Sequence, residues 1–191
     1  GGDPAGAPVR FPVQYVIRHG EDRHYAGRLV SGTLGVGDRV IVHPSGQTSR
    51  VAGLTVLGTE AASVRAPQSI GVLLADERDV SRGDMITTGV DAPVLTQDVR
   101  ADVCHLADRP LRIGDRVLLK HTTRTVRAIV RDLDGGSELT VNGLGRIVLR
   151  TAEPLALDDY AVSRDTGAFI LLDPADGTTL TAGMVRLGHR E

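Results

Sequence analysis

The residue types that could do chemistry in this chain are six histidines, one cysteine and scattered carboxylates. The histidines stand at positions 19, 24, 43, 105, 121 and 189. No His-x-His or His-x3-His spacing occurs among them, and no carboxylate pair accompanies them at the separation of metal ligands. The sequence therefore assigns no metal-ligating residue and no catalytic residue.

The single cysteine excludes an intrachain disulfide and a zinc site built from several thiolates. Cys104 lies in a strand-like run from Val99 to Leu106. Cysteine in such a run is typical of a small buried hydrophobe, and no partner His and Asn constellation indicates a nucleophile. We expect Cys104 to be a buried core residue.

The sequence contains no nucleotide-binding motif. A P-loop needs Gly-Lys-Ser/Thr, whose amides and lysine hold phosphates, but the only lysine, Lys120, lies between Leu119 and His121. The only asparagine, Asn142, precedes glycine, which excludes the guanine-reading Asn-Lys-x-Asp. The run from Asp132 to Gly135 matches Asp-x-x-Gly, yet Asp-Gly-Gly favours a hairpin or loop turn. We assign no cofactor-binding residue and expect no cofactor in this chain.

Two further short motifs are interpreted as turns. Gly32-Thr-Leu-Gly-Val-Gly37 superficially matches a dinucleotide-binding loop, but no helix follows whose N-terminus could hold pyrophosphate. Arg82-Gly83-Asp84 spells an integrin-binding tripeptide, and the residues around it, 80–86, suit a turn into a final strand.

Two charged segments are the candidate contact surfaces. Residues 18–25 form a charged loop between strands, for which a solvated hairpin tip is the favoured interpretation, so no site residue is assigned there. Arg124, Arg127 and Arg131 alternate with Val126 and Ile129, as on a solvated strand face. The net charge of −2 offers no field that would recruit nucleic acid or an anionic membrane. We expect neither as a partner.

The elements that must carry these residues are strands. Short β-branched runs bounded by Gly, Pro, Asp or Ser predict an all-β protein, and 23 glycines and 9 prolines indicate frequent turns. The predicted strands include 13–17, 39–42, 49–57, 70–74, 117–119, 124–131 and 146–149.

An internal repeat predicts two domains. Leu-Gly-Val-Gly-Asp-Arg-Val at 34–40 recurs as Leu-Arg-Ile-Gly-Asp-Arg-Val at 111–117, an offset of 77 residues. Glycine would supply the unusual dihedral angles of a turn, and aspartate would cap it. We predict a tag remnant and linker at 1–8, too poor in apolar residues to order itself, then β-barrels at 9–92 and 98–191, separated near Asp91-Ala92-Pro93.

Several blocks resemble, in order, the second and third domains of translation-factor GTPases, and more narrowly the large, GTPase-type subunit of bacterial sulfate adenylyltransferase (subunit 1). In the first half they are 10–16, 25–32, 34–38, 44–46, Leu73 with 75–77, and 79–84; in the second half they are 110–111, 139–146, 153–160, 165–173 and 182–185. The resemblance covers about residues 9–187.

This resemblance implies two tandem barrels like domains II and III of elongation factor Tu. It implies a cytoplasmic heterodimer in which a small catalytic subunit makes adenosine 5′-phosphosulfate from ATP and sulfate, while the large subunit hydrolyses GTP to drive that reaction. GTP and Mg²⁺ would bind an upstream GTPase domain that this chain lacks. The fragment itself would then be non-catalytic, although the parent is an enzyme, and its partners would be that domain and the small subunit.

Two other functions stay open at this point. The chain resembles, more broadly, the barrels of other translation-factor-like GTPases, which bind tRNA or ribosomal RNA. A free-standing β-barrel enzyme is the third, and it lacks any convergent acid, base or nucleophile.

Overall fold

The structure, a computed structural model, describes residues 2–134 and 136–188, with the side chain of His19 left out. The chain divides into two compact units, Gly1–Ala92 and Pro93–Glu191. Both are built almost wholly from antiparallel strands, and a 3-10 turn lies at Pro4–Gly6. Within the described ranges, no helix is long and apolar enough to cross a membrane.

The first unit is a closed ring of six strands. β4, β9, β1, β2, β8 and β5 pair in that order, and β5 pairs back with β4; β6 extends β5, and β3 pairs with β7. The strands are β1 (Phe11–His19), β2 (Asp22–Leu29), β3 (Thr33–Gly35), β4 (Arg39–His43), β5 (Gln47–Val56), β6 (Thr59–Ala61), β7 (Ser63–Arg65), β8 (Gln68–Leu74) and β9 (Met85–Thr87).

The second unit is a closed barrel in which β10, β15, β13, β12, β16 and β17 pair in that order, with a separate β11–β14 pair. Its strands are β10 (Val94–His105), β11 (Leu111–Arg112), β12 (Arg116–His121), β13 (Arg124–Leu133), β14 (Glu138–Leu139), β15 (Leu144–Leu157), β16 (Ala168–Leu172) and β17 (Thr179–Val185).

Alternation of apolar and polar residues along the strands decides which side chains fill each barrel. In β8, Ile70, Val72 and Leu74 are buried while the intervening side chains are more exposed. Each unit has its own cluster of buried apolar residues, so each has a separate core. Gly183 leaves space for the Phe169 ring in the second core, because a Cβ at position 183 would overlap that ring.

The predicted all-β fold is confirmed, and the seven predicted strand runs fall on β1, β4, β5, β8, β12, β13 and β15. Only Leu57 lies beyond its strand, in a turn with φ of 51°. The repeated turn is also confirmed, since Gly37 and Gly114 have φ of 93° and 92°. These are left-handed conformations, which glycine adopts without a Cβ penalty.

The expectation that the residues before the first barrel stay unordered is wrong for residues 3–8. Pro4 and Ala5 carbonyls accept hydrogen bonds from Gly32 N–H (2.7 Å) and Thr33 Oγ1 (2.9 Å). The Asp3 carboxylate lies 3.3 Å from the Arg65 guanidinium. Backbone acceptors, together with the buried Ala5, therefore order a segment with few apolar side chains of its own.

The first strand of the second unit begins at Val94, earlier than the predicted start near Asp98. Val94 and Thr96 pair with Leu157 and Leu155 at the end of β15, and the register then shifts between Thr96 and Asp98. The start of this strand is difficult to predict from sequence, because a bulge interrupts the period-two alternation of side chains.

Candidate functional site

A concave site of the first unit lies beneath the β1–β2 hairpin. Its volume is about 500 Å³, and its lining comprises Arg18, residues 20–23, Tyr25 and residues 74–77. The charged segment singled out from the sequence thus forms one wall, and the end of β8 and the following bend form the other. The described lining residues include no Ser, Thr, Cys or His that could act as a nucleophile or general base.

The electrostatics of this cleft suit binding. Arg23 lies 3.9 Å from the carboxylate of Glu77 across the cleft. Tyr25 is buried, its hydroxyl donates to the carbonyl of Arg78 at 3.3 Å, and burial raises the pKa of its phenol although Arg23 opposes the shift. The buried phenol therefore joins the floor of the cleft to the segment that follows β8.

The prediction of a loop at 18–25 is wrong in detail. β1 runs to His19 and β2 begins at Asp22, so only Gly20 and Glu21 form the turn. Arg18 pairs with Arg23, and His19 with Asp22, in a regular antiparallel register. Gly20 has φ of 63°, which permits this tight turn.

The described histidines do not converge. His43 hydrogen-bonds Thr87 Oγ1 at 2.9 Å in the first unit, whereas His105 and His121 lie buried in the second. Burial lowers the pKa of His43, with Arg10 adding to the effect, and burial also lowers the pKa of His121. No group of three or more His, Cys, Asp or Glu that could hold a metal is found among the described residues. His189 lies outside them.

His105 is a structural residue. Its ring lies between Thr181 Oγ1 (3.0 Å from Nδ1) and the Arg109 carbonyl (2.6 Å from Nε2). Because a carbonyl only accepts, Nε2 carries the proton and Nδ1 accepts from the threonine hydroxyl. The ring thereby ties the loop after β10 to β17.

The expectation of a buried core cysteine is wrong. Cys104 is only half-buried, because β10 turns Val103 and His105 into the barrel and Cys104 outward. The alternation is present in the sequence, where Val99, Ala101 and Val103 alternate with Arg100 and Asp102, and it places Cys104 with the outward residues.

The motifs interpreted as turns behave as such where they are described. Gly83 N–H donates to the Val13 carbonyl (2.9 Å), and the Asp84 carboxylate accepts from Ser81 N–H (2.9 Å). Gly32 has φ of 89° and leads into β3. Gly136 N–H donates to the Leu133 carbonyl in the turn after β13, while Gly135 lies outside the described residues.

A cluster that the sequence analysis missed lies on the outer surface of the second barrel. Arg127, on β13, is joined there by Arg116 of β12 and Arg150 of β15, around Leu118 and Ile129. We call these five residues the arginine face. Arg116 and Arg150 are 34 positions apart in sequence, so no local pattern connects them. Of the arginines proposed earlier, Arg131 is exposed, while Arg124 is mostly covered and pairs with Glu153 at 2.9 Å.

Comparison with known proteins identifies the second unit directly. Residues 98–186 match the family of GTP-eEF1A C-terminal domain-like domains. A crystal structure of Sup35 complexed with GDP superimposes with a TM-score of 0.87 at 18% identity, covering 95% of this chain and 48% of Sup35. At that identity the likeness concerns the fold, and it confirms the translation-factor type of both barrels.

Sequence relatives extend across both units. The bifunctional enzyme CysN/CysC of Mycobacterium tuberculosis is 43% identical over 202 residues, which cover 96% of this chain and 33% of that protein. Sulfate adenylyltransferase subunit 1 of Shewanella oneidensis is 35% identical over 95% of this chain and 41% of its own length. The chain thus spans between a third and about two fifths of the relatives it matches. Over nearly all of its length, this chain is thus similar in sequence to sulfate adenylyltransferase subunit 1.

Proposed function

We propose that this chain is the non-catalytic C-terminal β-barrel part of a GTP-dependent regulatory subunit of sulfate adenylyltransferase. That subunit couples GTP hydrolysis to adenosine 5′-phosphosulfate synthesis from ATP and sulfate, in cytoplasmic sulfate assimilation. The observation that carries the proposal is sequence identity over nearly all of this chain, 43% to CysN/CysC and 35% to sulfate adenylyltransferase subunit 1. The chain spans only 33% and 41% of the length of these two proteins. GTP and Mg²⁺ bind elsewhere in the parent, on a nucleotide-binding domain.

The role of the barrels in this proposal is mechanical. A closed ring of strands leaves few free edges and moves as a rigid body. The nucleotide state of the GTPase domain changes which surfaces of the neighbouring domains contact each other. The barrels transmit that change to the small catalytic subunit. The charged cleft beneath the β1–β2 hairpin suits such contacts, because its described lining offers side chains of both charges.

The first test is calorimetric titration of the 191-residue chain with GTP in the presence of Mg²⁺. We expect no heat of binding, because the sequence has no Gly-Lys-Ser/Thr loop and no Asn-Lys-x-Asp signature. Tight GTP binding by this chain would overturn the proposal.

The second test is binding to the small catalytic subunit from the same organism, measured by surface plasmon resonance. Saturable binding supports the proposal. If the chain instead binds tRNA with a steep salt dependence and does not bind the small subunit, the translation-factor alternative is correct.

A further inference from the structure

The arginine face is a two-row arrangement on three neighbouring strands. In one row, Arg116 lies opposite Ile129, and Ile129 lies opposite Arg150. In the next row, Leu118 lies opposite Arg127. Directly opposite residues have Cβ atoms about 5 Å apart and diagonal ones about 7 Å, so each aliphatic side chain is flanked by guanidinium groups.

The floor of this face is apolar and concave. Leu118 and Ile129 are half-buried between the exposed arginines, and with Ala152 and Pro174 they line a groove of about 380 Å³. Arginine stems cover apolar surface while their charged ends stay in water. The groove therefore presents cations around an apolar floor.

The positive charge here is poorly compensated within the chain. Arg150 pairs with Asp98 at 3.1 Å. For Arg116 and Arg127, no ion pair is found with any carboxylate in the described ranges 2–134 and 136–188. Among the residues that the structure describes, only one of the three guanidinium groups is therefore paired with a carboxylate.

The barrel fold does not require Arg127 and Arg150. Val51 and Val130 occupy equivalent positions, since the carbonyl of each accepts the N–H of the turn glycine (Gly37 or Gly114), and the N–H of each donates to the carbonyl of the following aspartate. By that equivalence, Thr48 stands in the first unit where Arg127 stands in the second. Ala75, whose N–H donates to the Arg50 carbonyl, stands where Arg150 does.

The first barrel keeps arginine at one of the three positions. Arg39 stands where Arg116 does, and it pairs with Arg50, which stands where Ile129 does. The first barrel therefore folds without three arginines around two aliphatic residues.

We propose that the arginine face docks a protein segment in which carboxylates alternate with aliphatic side chains. Resting on the function proposed above, the protein that carries this segment is the small catalytic subunit. Guanidinium groups bind carboxylates with two parallel N–H···O bonds, and the groove floor accepts the aliphatic side chains between them. This places a contact with the small subunit on β12, β13 and β15 of the second barrel.

A nucleic-acid backbone fits this face less well. Nucleic-acid interfaces are polar and strongly positive over a large area, and affinity depends on many phosphate contacts. Here three arginines surround an apolar floor, and the aromatic side chains on which bases stack do not occur among the groove residues. A segment with carboxylates next to aliphatic groups complements both the arginines and the apolar floor of the face.

The experiment measures the affinity of the full 191-residue chain for the small subunit by surface plasmon resonance, with the double variant R116E/R127E. We expect affinity at least tenfold weaker than wild type, and a wild-type affinity that falls between 50 and 300 mM NaCl more steeply than that of the variant. The neutral variant R116Q/R127Q should show an intermediate loss, and it serves if the charge-reversed protein fails to fold. Circular dichroism melts check the fold of each variant.

The matched control is R28E/R39E, which reverses two exposed arginines of the first barrel. Arg39 occupies the position equivalent to Arg116. Unchanged affinity for R116E/R127E, or an equal loss for the control, overturns the docking proposal and leaves the proposed function standing. Failure of the wild-type chain to bind the small subunit overturns both. Loss of tRNA binding by R116E/R127E, with small-subunit binding intact, assigns the face to nucleic acid and also overturns the proposal.

Discussion

Asp38 and Asp115 make the same hydrogen bond in the two barrels. The carboxylate of Asp38 accepts the backbone N–H of Gly35 at 2.8 Å, and that of Asp115 accepts the N–H of Arg112 at 2.8 Å. Each aspartate follows a left-handed glycine, and its own carbonyl accepts the N–H of a valine, Val51 of β5 or Val130 of β13. The repeat in sequence is thus a repeat of one hydrogen-bonded turn, which sets the start of β4 and of β12.

Removing this cap should destabilise the barrel that contains it. We expect Asp115→Ala to lower the free energy of unfolding by about 1 kcal/mol, because the Arg112 N–H loses its acceptor. Asp115→Asn keeps an acceptor oxygen and should cost less. Urea denaturation followed by circular dichroism measures both, and equal stabilities of the alanine variant and wild type would contradict the capping role.

Gly183 should tolerate no side chain. A Cβ at this position overlaps the Phe169 ring, and both residues are buried in the second barrel. We expect Gly183→Ala to cost about 1–3 kcal/mol through overpacking. The double variant with Phe169→Leu should recover part of the loss, because the smaller side chain vacates the space. Additive losses in the urea-denaturation cycle would show that the two residues do not compete for space.

The His105 hydrogen bonds should be costly to remove. His105→Phe keeps an aromatic ring, but it removes the ring nitrogens that hydrogen-bond the Thr181 hydroxyl and the Arg109 carbonyl. The unsatisfied hydroxyl of buried Thr181 costs about 1–3 kcal/mol, and the hydrogen bond to the Arg109 carbonyl is lost as well, so we expect a larger loss than for Thr181→Val, which removes only one hydrogen bond. Thermal unfolding compares the two, and a smaller effect of His105→Phe would contradict this assignment.

Stability should fall in weak acid. Burial lowers the folded-state pKa of His43 and His121 below the ordinary value of 6.5, so the unfolded chain binds more protons as the pH drops through 6.5. Stability is therefore full above pH 6.5 and is lost below it, by at most about 1.4 kcal/mol per pH unit for each histidine. Urea denaturation at pH 7.5, 6.5 and 5.5 measures the trend.

His121→Gln tests the second barrel's share of this pH dependence. The amide can still donate to the Thr166 carbonyl, which His121 Nε2 contacts at 2.7 Å, but it does not titrate. We expect a shallower loss of stability between pH 6.5 and 5.5 than in wild type. An unchanged slope would assign the acid sensitivity to other groups.

Local sequence predicted the strands and the turns well for a physical reason. Period-two alternation and left-handed glycines act within a few residues, so Gly37 and Gly114 could be interpreted as turns without any tertiary information. Features that depend on distant partners were wrong. Residues 3–8 are ordered by Gly32 and Thr33, and β10 begins at Val94 because the end of β15 pairs with it.

The sequence by itself determined that the chain is all-β, that one turn occurs twice, and that it carries no P-loop, because these depend on residue types at short spacing. Only the tertiary structure decided that Arg116, Arg127 and Arg150 share one surface and that β10 begins at Val94. Strand pairing made both decisions, since it brings residues of separate strands side by side, and a one-residue shift in register would turn each side chain to the opposite face.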